Sequence, residues 1–303
     1  MKFNLEEDMS LPNTAVNGNG NHKAEIMNVQ NGAFLYTHTF TKVRSHQHFI
    51  AENILAYQTS GLSHVTSEEG ELTMKEGQLI FARRNQLAKY TKIPVGNQTA
   101  HCISVILTIE RLQQYALDNG ISCEERYTGD KLILMESNDL LRSFFSSVMS
   151  YEELWNAETE KLAALKVNEI IELLLQMRPE LKSFLFDFVD PQKQDLKAFM
   201  LKNYRYNVSI EQFAKLSGRS LTSFKRDFAE AFKAPPAQWL KNKRLEEALH
   251  LIQTKNRKAD DIYNDLGFEN LSHFYTAFKQ RYGITPSQVN LKNANNEKEL
   301  IAC

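Results

Sequence analysis

The chain has 303 residues, of which 36 are Lys or Arg and 37 are Asp or Glu, so its formal net charge is −1. This length, with 42% hydrophobic and 24% charged residues, predicts about two folded domains and excludes wholesale disorder. No apolar run reaches the ~18 residues of a membrane helix, and the acidic start has no signal-peptide core. The three cysteines are too scattered for a disulfide framework or a zinc site. We therefore expect a cytoplasmic protein without a membrane partner.

The charge is unevenly distributed along the chain. Residues 193–290 hold 17 Lys and Arg against 10 Asp and Glu, a net charge of +7, and the remainder carries −8. Such asymmetry indicates that a nucleic-acid-binding part of the chain is joined to an acidic part with a different role. On charge alone, a chance excess of solvated cations explains the basic block equally well.

The first part of the chain has the pattern of short strands. Residues 1–25 are polar and rich in Asn and Gly, which predicts a disordered lead. From Ala33 to Ile109, brief apolar or alternating runs are separated by glycines. This pattern predicts an all-β barrel or sandwich, in which His101 to Leu107 form a buried strand.

Apolar residues at helical spacing follow the β region. Asn138 is placed to cap a helix from Asp139 to about Leu154, and a second helix is predicted from Thr159 to Met177. Both are more apolar than lone surface helices need, so they pack on the β region, form a dimer seam, or do both. The candidate dimerisation residues are Leu162, Leu165, Ile170 and Leu173.

A polar segment containing a proline, residues 190–194, marks the expected domain boundary. We expect a regulatory and dimerisation domain over residues 26–186 and a second domain over residues 195–290. The polar residues 291–303 are expected to form a flexible tail.

The basic block contains an internal repeat at an offset of fifty residues. The matched pairs are Leu216 and Leu266, Ser220 and Asn270, Leu221 and Leu271, Phe224 and Phe274, Phe228 and Phe278, Phe232 and Tyr282, and Pro236 and Pro286. Since these matches preserve residue character, two copies of one structural unit are the simplest explanation.

Each copy has the pattern of a short helix, a turn and a second helix. In the first copy Ser209 caps a short helix, Gly218 breaks it and Ser220 caps the next helix. In the second copy Ile262 and Leu266 belong to the short helix, Gly267 breaks it and Asn270 caps the next helix. This pattern predicts helix-turn-helix units over residues 209–232 and 259–282, whose second helices enter the DNA major groove.

The outward faces of the two second helices carry the candidate DNA contacts. These faces are polar or cationic and have no carboxylate in their leading turn, as contacts to base edges and phosphates require. An ordinary all-α bundle would share the buried phenylalanines but not these faces. The candidates are Arg219, Ser220, Thr222, Ser223, Lys225, Arg226, Asn270, Leu271, Ser272, His273, Thr276 and Lys279. A connecting helix from Pro236 to Ile252 would hold the two units about one DNA turn (~34 Å) apart.

The block from about Leu196 to Asn290 resembles the DNA-binding domain of AraC/XylS-type transcription regulators. The motifs that carry the resemblance are Ser209–Ala214, Ser220–Phe228, Arg244–Ala248, Leu266–Phe268, Ser272–Phe274, Phe278 and Tyr282–Pro286. The resemblance implies sequence-specific binding to promoter DNA through successive major grooves, with RNA polymerase as a further partner.

Individual roles follow from the same resemblance. The positions that read bases in the family correspond here to Thr222, Lys225 and Arg226 in the first unit and to Leu271, Ser272 and Thr276 in the second. The chain departs from the family at Thr276, where Arg is usual, and at Val289 and Asn290, where an aromatic–Arg pair is usual. We therefore expect the second unit to act more through phosphate contacts.

The first half of the chain resembles, more loosely, the cupin-like β-barrel and two dimerisation helices of the same family. The runs Glu71–Thr73 and Gly77–Arg84 are similar to activators of type III secretion genes, whose control comes from a partner protein. The candidate effector-binding residues are His46, His48, Tyr57, His64, Arg83 and Tyr90.

A metal-dependent function has one motif in its favour. His46 and His48, followed by Glu52, form half of a cupin metal motif, and His101 would supply a third imidazole. The second half of the motif is degraded, because Pro94-Val95-Gly96 precedes His101 at the wrong distance. We therefore expect no metal and no cofactor.

Together these patterns predict an α+β protein with an N-terminal cupin-like β-barrel, a helical dimerisation subdomain and a C-terminal all-α domain with two helix-turn-helix units. The predicted function is a homodimeric, DNA-binding transcription activator controlled by a small-molecule or protein effector. The alternatives are a cupin-type metal-dependent enzyme with a helical appendage and a module that binds only protein.

Overall fold

The computed structural model describes residues 26–31, 33–43, 47–123, 126–154, 159–189 and 191–289. The predicted disordered lead and tail, His46 and Asn290 lie outside the described residues. The chain forms two compact units that divide after Val189, except that Gln47–Phe49 group with the second unit. Among the described residues, no helix is long and apolar enough to cross a membrane.

The first unit is built on two antiparallel sheets. The strands are β1 Ile26–Asn31, β2 Phe34–Thr39, β3 Gln47–Ile50, β4 Asn53–Ser60, β5 Leu62–Ser67, β6 Gly70–Lys75, β7 Gln78–Ala82, β8 Gln86–Ile93, β9 Ala100–Leu107 and β10 Leu132–Glu136. One sheet has the order β1-β2-β9-β4-β7-β10, and the other has the order β3-β8-β5-β6. The predicted buried strand is β9, which pairs with β2 and β4 in the interior of the larger sheet.

Alternation along β9 explains how this sheet separates two cores. Ile103 and Val105 belong to the core that the larger sheet shares with the helices. Cys102 points to the opposite face and packs with Met74 and Val65 of the smaller sheet. Since successive side chains of a strand point to opposite faces, one strand contributes to both cores. The unit therefore has three layers, namely helices, the larger sheet and the smaller sheet.

Five helices accompany the sheets in the described part of the first unit. They are α1 Ile109–Asp118, α2 Asp139–Met149, α3 Tyr151–Leu154, α4 Thr159–Met177 and α5 Leu181–Phe186. The predicted Asn138 cap is confirmed, since its side chain accepts a hydrogen bond from the Leu141 N–H. The single helix predicted up to Leu154 is wrong: α2 ends at Met149, because the Ser150 N–H bonds to the Val148 carbonyl instead of continuing the helical pattern. Helices α1 and α5 and strand β10 were not predicted.

The part of the second unit over residues 191–289 contains helices and no strand. Its helices are α6 Leu196–Asn203, α7 Ile210–Leu216, α8 Leu221–Phe232, α9 Pro236–Lys255, α10 Ala259–Ile262 and α11 Leu271–Tyr282. All three predicted caps are confirmed. Ser209 forms a reciprocal capping box with Gln212, and Ser220 and Asn270 cap α8 and α11.

The two copies of the fifty-residue repeat have second helices of equal length, but their first helices differ in length. Helices α8 and α11 each have 12 residues, and Phe224, Phe228, Phe274 and Phe278 are all fully buried. The first helix has seven residues in one unit (α7) and four in the other (α10). The prediction that Leu266 lies on the short helix is wrong, because α10 ends at Ile262 and turns lead on to Gly267. The intervening Tyr263, Asn264 and Asp265 are weak helix formers.

Candidate DNA interface and regulatory unit

The outward face of α8 is open and rich in hydrogen-bond donors. Thr222 and Lys225 are exposed, and the Arg226 side chain is 73% exposed. Ser220 is exposed as well, but its hydroxyl already accepts a hydrogen bond from the Ser223 N–H at 3.3 Å. The exposed donors on this face are therefore concentrated at Thr222, Lys225 and Arg226, of which Arg226 also donates to Asp227 Oδ1 at 3.1 Å.

Arg219 does not extend outward as the sequence predicted. Its side chain is 7% exposed, its Nε donates to Asp227 Oδ2 at 3.1 Å, and Nη1 donates to the Ser217 carbonyl at 2.8 Å. The cause is Asp227, which also pairs with Lys193 at 3.1 Å and Arg226 at 3.1 Å. These cations, Lys193 first, hold the pKa of Asp227 at about 2. Arg219 is thus a positioning residue for the start of α8.

The predicted interdomain break packs against the first helix-turn-helix unit. The Gln194 side chain donates to the Leu216 carbonyl at 3.1 Å, and its backbone N–H donates to Ser217 at 3.2 Å. Gly218, at φ +70°, leaves space for this segment, because a Cβ at that position would lie 2.5 Å from the Gln192 backbone. Residues 192–194 are therefore part of the second unit and support the turn before α8.

The two cations of α11, Lys279 and Arg281, lie in its last turn, and Arg281 pairs with Glu246 at 2.8 Å. Ser272, His273, Thr276 and Lys279 are exposed, whereas Leu271 is half-buried against the core of this repeat. The Thr276 hydroxyl donates to the Ser272 carbonyl at 3.0 Å, one helical turn back. Lys279 is the only cation among the candidates predicted on this helix.

One half-buried arginine joins the segment before the first helix-turn-helix unit to the second unit. Arg244, on the connecting helix α9, donates to the carbonyls of Tyr204, Tyr206 and Gly267 at 2.8, 2.7 and 2.9 Å. Burial lowers the pKa of its guanidinium to about 10. The sequence predicted a connecting helix and included Arg244 in a family motif, but it gave no signal for these three acceptors.

The described effector candidates do not converge on one site. Tyr57 stacks on Phe145 of α2 with ring centroids 4.5 Å apart. His64 is exposed and bonds to Thr73 on the neighbouring strand, and Arg83 pairs with Asp187 at 2.6 Å. Tyr90 lies beside the buried Lys92, whose Nζ is 5.4 Å from its ring centroid. His46 lies outside the described residues, and His48 belongs to β3.

The structure reveals a polar group that the sequence had missed in the layer between the sheets. Lys92 is 8% exposed, and burial lowers the pKa of its ammonium. Burial likewise raises the pKa of Tyr90 and of the Cys102 thiol, and charge interactions couple Cys102 to both neighbours. The alternation of β8, which puts Tyr90 and Lys92 on one face, is the signal that would have identified this group.

The four dimerisation candidates have different environments on α4. Leu162 and Leu165 are 47% and 64% exposed. Ile170 is fully buried in the core of its own subunit, and Leu173 packs partly against that core. Only the first two are thus available to a second copy of the chain.

Two histidines and a carboxylate form a cluster in the first unit, but it is not the predicted set. His38, His101 and Glu152 each offer a ligand atom, and these atoms lie within 4.8 Å of one another. His38 hydrogen-bonds to Glu152. Burial and the neighbouring His38 lower the pKa of His101 to about 4.

Comparisons with known proteins identify both halves. A model of a helix-turn-helix domain matches residues 213–291, and a model of the ExsA N-terminal regulatory domain matches residues 53–184. The HTH-type transcriptional regulator ExsA of Pseudomonas aeruginosa is 26% identical over 237 residues, which cover 73% of this chain and 82% of ExsA. The virulence regulon transcriptional activator VirF of Yersinia enterocolitica is 31% identical over 99 residues, 33% of this chain and 36% of VirF.

A solved structure, apo ToxT K231A of Vibrio cholerae, aligns with 87% of this chain and 98% of its own at 14% identity and a TM-score of 0.44. The sequence relatives are transcription regulators, so the alternative of a cupin-type enzyme is not supported. The chain is a DNA-binding transcription regulator that combines a helix-turn-helix domain with a domain similar to the ExsA N-terminal regulatory domain.

Proposed function

We propose that the chain activates transcription by placing α8 and α11 in two successive major grooves of a promoter. The observation that carries this proposal is the pair of capped 12-residue helices with exposed polar faces. Arg244 supports their relative placement, because it donates hydrogen bonds to the carbonyls of Tyr204 and Gly267. A helix with a donor-rich face fits the width of the major groove.

The exposed side chains support distinct roles within this interface. Thr222 and Arg226 are assigned to base edges, because they lie one turn apart on the open face of α8. Lys225 and Lys279 are assigned to phosphates. Ser220 and Asn270 cap the helix starts, where backbone N–H groups favour a phosphate.

The second helix is assigned a weaker role in base recognition. Ser272 and Thr276 offer only hydroxyls, and the Thr276 hydroxyl is already engaged within the helix. His273 is exposed next to the Asn270 cap and is placed to reach the backbone or a base. We therefore assign most base discrimination to α8.

The experiment that tests this function is in vitro selection of DNA by the full chain, followed by footprinting. The expected site has two protected major grooves about one turn (~10 bp) apart. Affinity for the selected site should fall steeply as salt rises. A protected region confined to one groove, or flat salt dependence, would reject the proposed arrangement.

The regulatory unit is proposed to supply dimerisation and control. Leu162 and Leu165, one turn apart on α4 and both exposed, support a seam with a second copy of the chain. RNA polymerase is the proposed partner at the promoter, and the cytoplasm is the proposed location because the DNA target lies there.

An effector of the regulatory unit is proposed to be a small organic acid or a protein partner. The acid is supported by the buried ammonium of Lys92 beside Tyr90, since a buried cation is stabilised by an anion. Thermal-shift screening of carboxylic acids tests this part. A stabilising acid should lose its effect in Lys92→Met but not in the exposed control Lys75→Met, and equal effects on both variants would contradict the assignment.

A further inference from the structure

We propose that His38, His101 and Glu152 form a binding site for a divalent transition-metal ion, with Zn²⁺ as the ion that the donor set fits best. This metal site is separate from the proposed DNA-binding function. The experiment that tests the metal site does not require DNA binding. Two imidazoles and one carboxylate are typical zinc ligands, whereas Mg²⁺ and Ca²⁺ prefer oxygen ligands throughout.

Three elements that are distant in sequence bring these ligands together. His38 on β2 and His101 on β9 are direct cross-strand partners, and their rings stack with centroids 4.1 Å apart. Glu152 comes from α3, which follows the end of α2. The metal would therefore fasten α3 to the centre of the larger sheet.

The distances are close to those of a metal site. The three ligand atoms lie within 4.8 Å of one another, and His101 Nε2 is 4.0 Å from Glu152 Oε2. A tetrahedral zinc ion requires roughly 3.3 Å between ligand atoms. Small side-chain rotations are sufficient to close the set.

A polar atom without a hydrogen bond distinguishes a metal site from an ordinary hydrogen-bonded pair. His38 and Glu152 satisfy each other, but His101 Nε2 is buried and has no hydrogen-bond partner among the described residues. Buried polar nitrogens are normally paired, and an unpaired one is destabilising. A metal ion in the cluster uses this lone pair, whereas the His38–Glu152 hydrogen bond leaves it unused.

The site is reachable from solvent, and the described residues supply three of the four ligands of a tetrahedral ion. The side chains of His38, Glu152 and His101 are 21%, 18% and 13% exposed. A water molecule is therefore the natural fourth ligand of a tetrahedral ion. Among the described residues the cluster consists of His38, His101 and Glu152, so it shares only His101 with the ligand set that the sequence suggested.

Metal titration of the full chain tests the proposal. Protein stripped with a chelator is titrated with Zn²⁺ by calorimetry and with Co²⁺ by visible absorption. We expect one ion per chain and the absorption bands of tetrahedral Co²⁺ without sulfur-to-metal charge transfer. Zinc at 100-fold above its Kd should raise the melting temperature of the first unit by roughly 5–10 °C.

Conservative variants locate the site. His38→Gln, His101→Gln and Glu152→Gln should each weaken binding by at least about tenfold and remove the Co²⁺ bands. The matched control is His64→Gln, an exposed histidine on the smaller sheet, and a His46→Gln/His48→Gln double variant should also bind as the parent does. No stoichiometric binding by the parent, thiolate bands, or binding that survives all three substitutions would overturn the proposal.

Discussion

The Arg244 guanidinium donates a 2.9 Å hydrogen bond to the carbonyl oxygen of Gly267. Its other nitrogens bind the carbonyls of Tyr204 and Tyr206, which lie at the end of α6. One half-buried side chain thus joins the segment before the first repeat to the turn before α11. We expect the relative placement of the two DNA-facing helices to depend on this arginine.

Replacing Arg244 by Met should destabilise the second unit by about 2–4 kcal/mol, because three partly buried carbonyls lose their donor. Unfolding in urea can be followed by Trp239 fluorescence in a Trp155→Phe background, which leaves one tryptophan. The control is Lys243→Met, whose side chain makes only a 3.8 Å ion pair with Glu246. Equal losses in both variants would contradict the proposed role of Arg244.

Gly267 should tolerate alanine much less well than Gly283. Both have positive φ, +78° and +74°, but a Cβ at Gly267 would lie 2.6 Å from the Arg205 carbonyl, whereas Gly283 has nothing within 4 Å. Gly283→Ala should cost about 1 kcal/mol from backbone strain alone, and Gly267→Ala should cost at least about 1 kcal/mol more. Unfolding in urea measures the loss of stability in both variants. Similar losses in Gly267→Ala and Gly283→Ala would show that the turn before α11 adjusts to the extra Cβ.

Lys233 offers a stabilising substitution. It ends α8 in the left-handed conformation at φ 54°, where the equivalent position after α11 is Gly283. Lys233→Gly should stabilise the second unit by about 0.5–1 kcal/mol, since glycine adopts this conformation without strain. Lys233→Ala removes the charge but keeps the Cβ and should give no gain. A gain of the same size in Lys233→Ala would assign the effect to charge.

Asp227 should make the second unit sensitive to acid. Its pKa of about 2 lies below the ordinary value of 3.8, and Lys193, Arg219 and Arg226 are the cause. A lowered folded-state pKa contributes stability above about pH 4, and this is lost as the pH falls towards 2. Asp227→Asn should therefore lower the urea midpoint at pH 6 and flatten its decline between pH 4 and 2. Glu230→Gln, an exposed neighbour on α8, should keep the parent slope, and an unchanged slope in Asp227→Asn would exclude this contribution.

The regular features of this fold were predictable because they are local. Alternation predicted the strand-rich first half, and side-chain oxygens before apolar stripes predicted the caps at Ser209, Ser220 and Asn270, which the structure has. The repeat predicted two equivalent second helices. Each of these signals lies within a few residues or at one fixed offset, so a single sequence contains it.

The remaining features depend on tertiary contacts that no spacing reveals. Arg219 appears outward-facing in sequence, but Asp227 turns it inward. His38 and His101 become neighbours only through the pairing of β2 with β9, and Glu152 joins them from α3. Leu165 and Ile170 were both expected at a dimer seam, yet α4 buries Ile170 in the core of its own unit and leaves only Leu165 exposed.

The exposed part of α4 should control self-association. Leu165→Glu is expected to shift the chain from dimer to monomer in sedimentation experiments, because a charge at a buried seam lacks a partner. Leu117→Glu is the matched control, since this leucine is 78% exposed on α1. A dimer that persists in Leu165→Glu would place the seam elsewhere.

The central claim, that α8 reads bases, is tested most directly by selecting DNA sites with the parent chain and with Arg226→Ala. The variant should bind the parent's selected site roughly 5–150-fold more weakly, corresponding to about 1–3 kcal/mol. It should also lose base preference at one or two positions in a single half of the site, while its affinity for random DNA stays close to that of the parent. An unchanged preference with equal losses on selected and random DNA would contradict the claim and leave Arg226 as a phosphate contact.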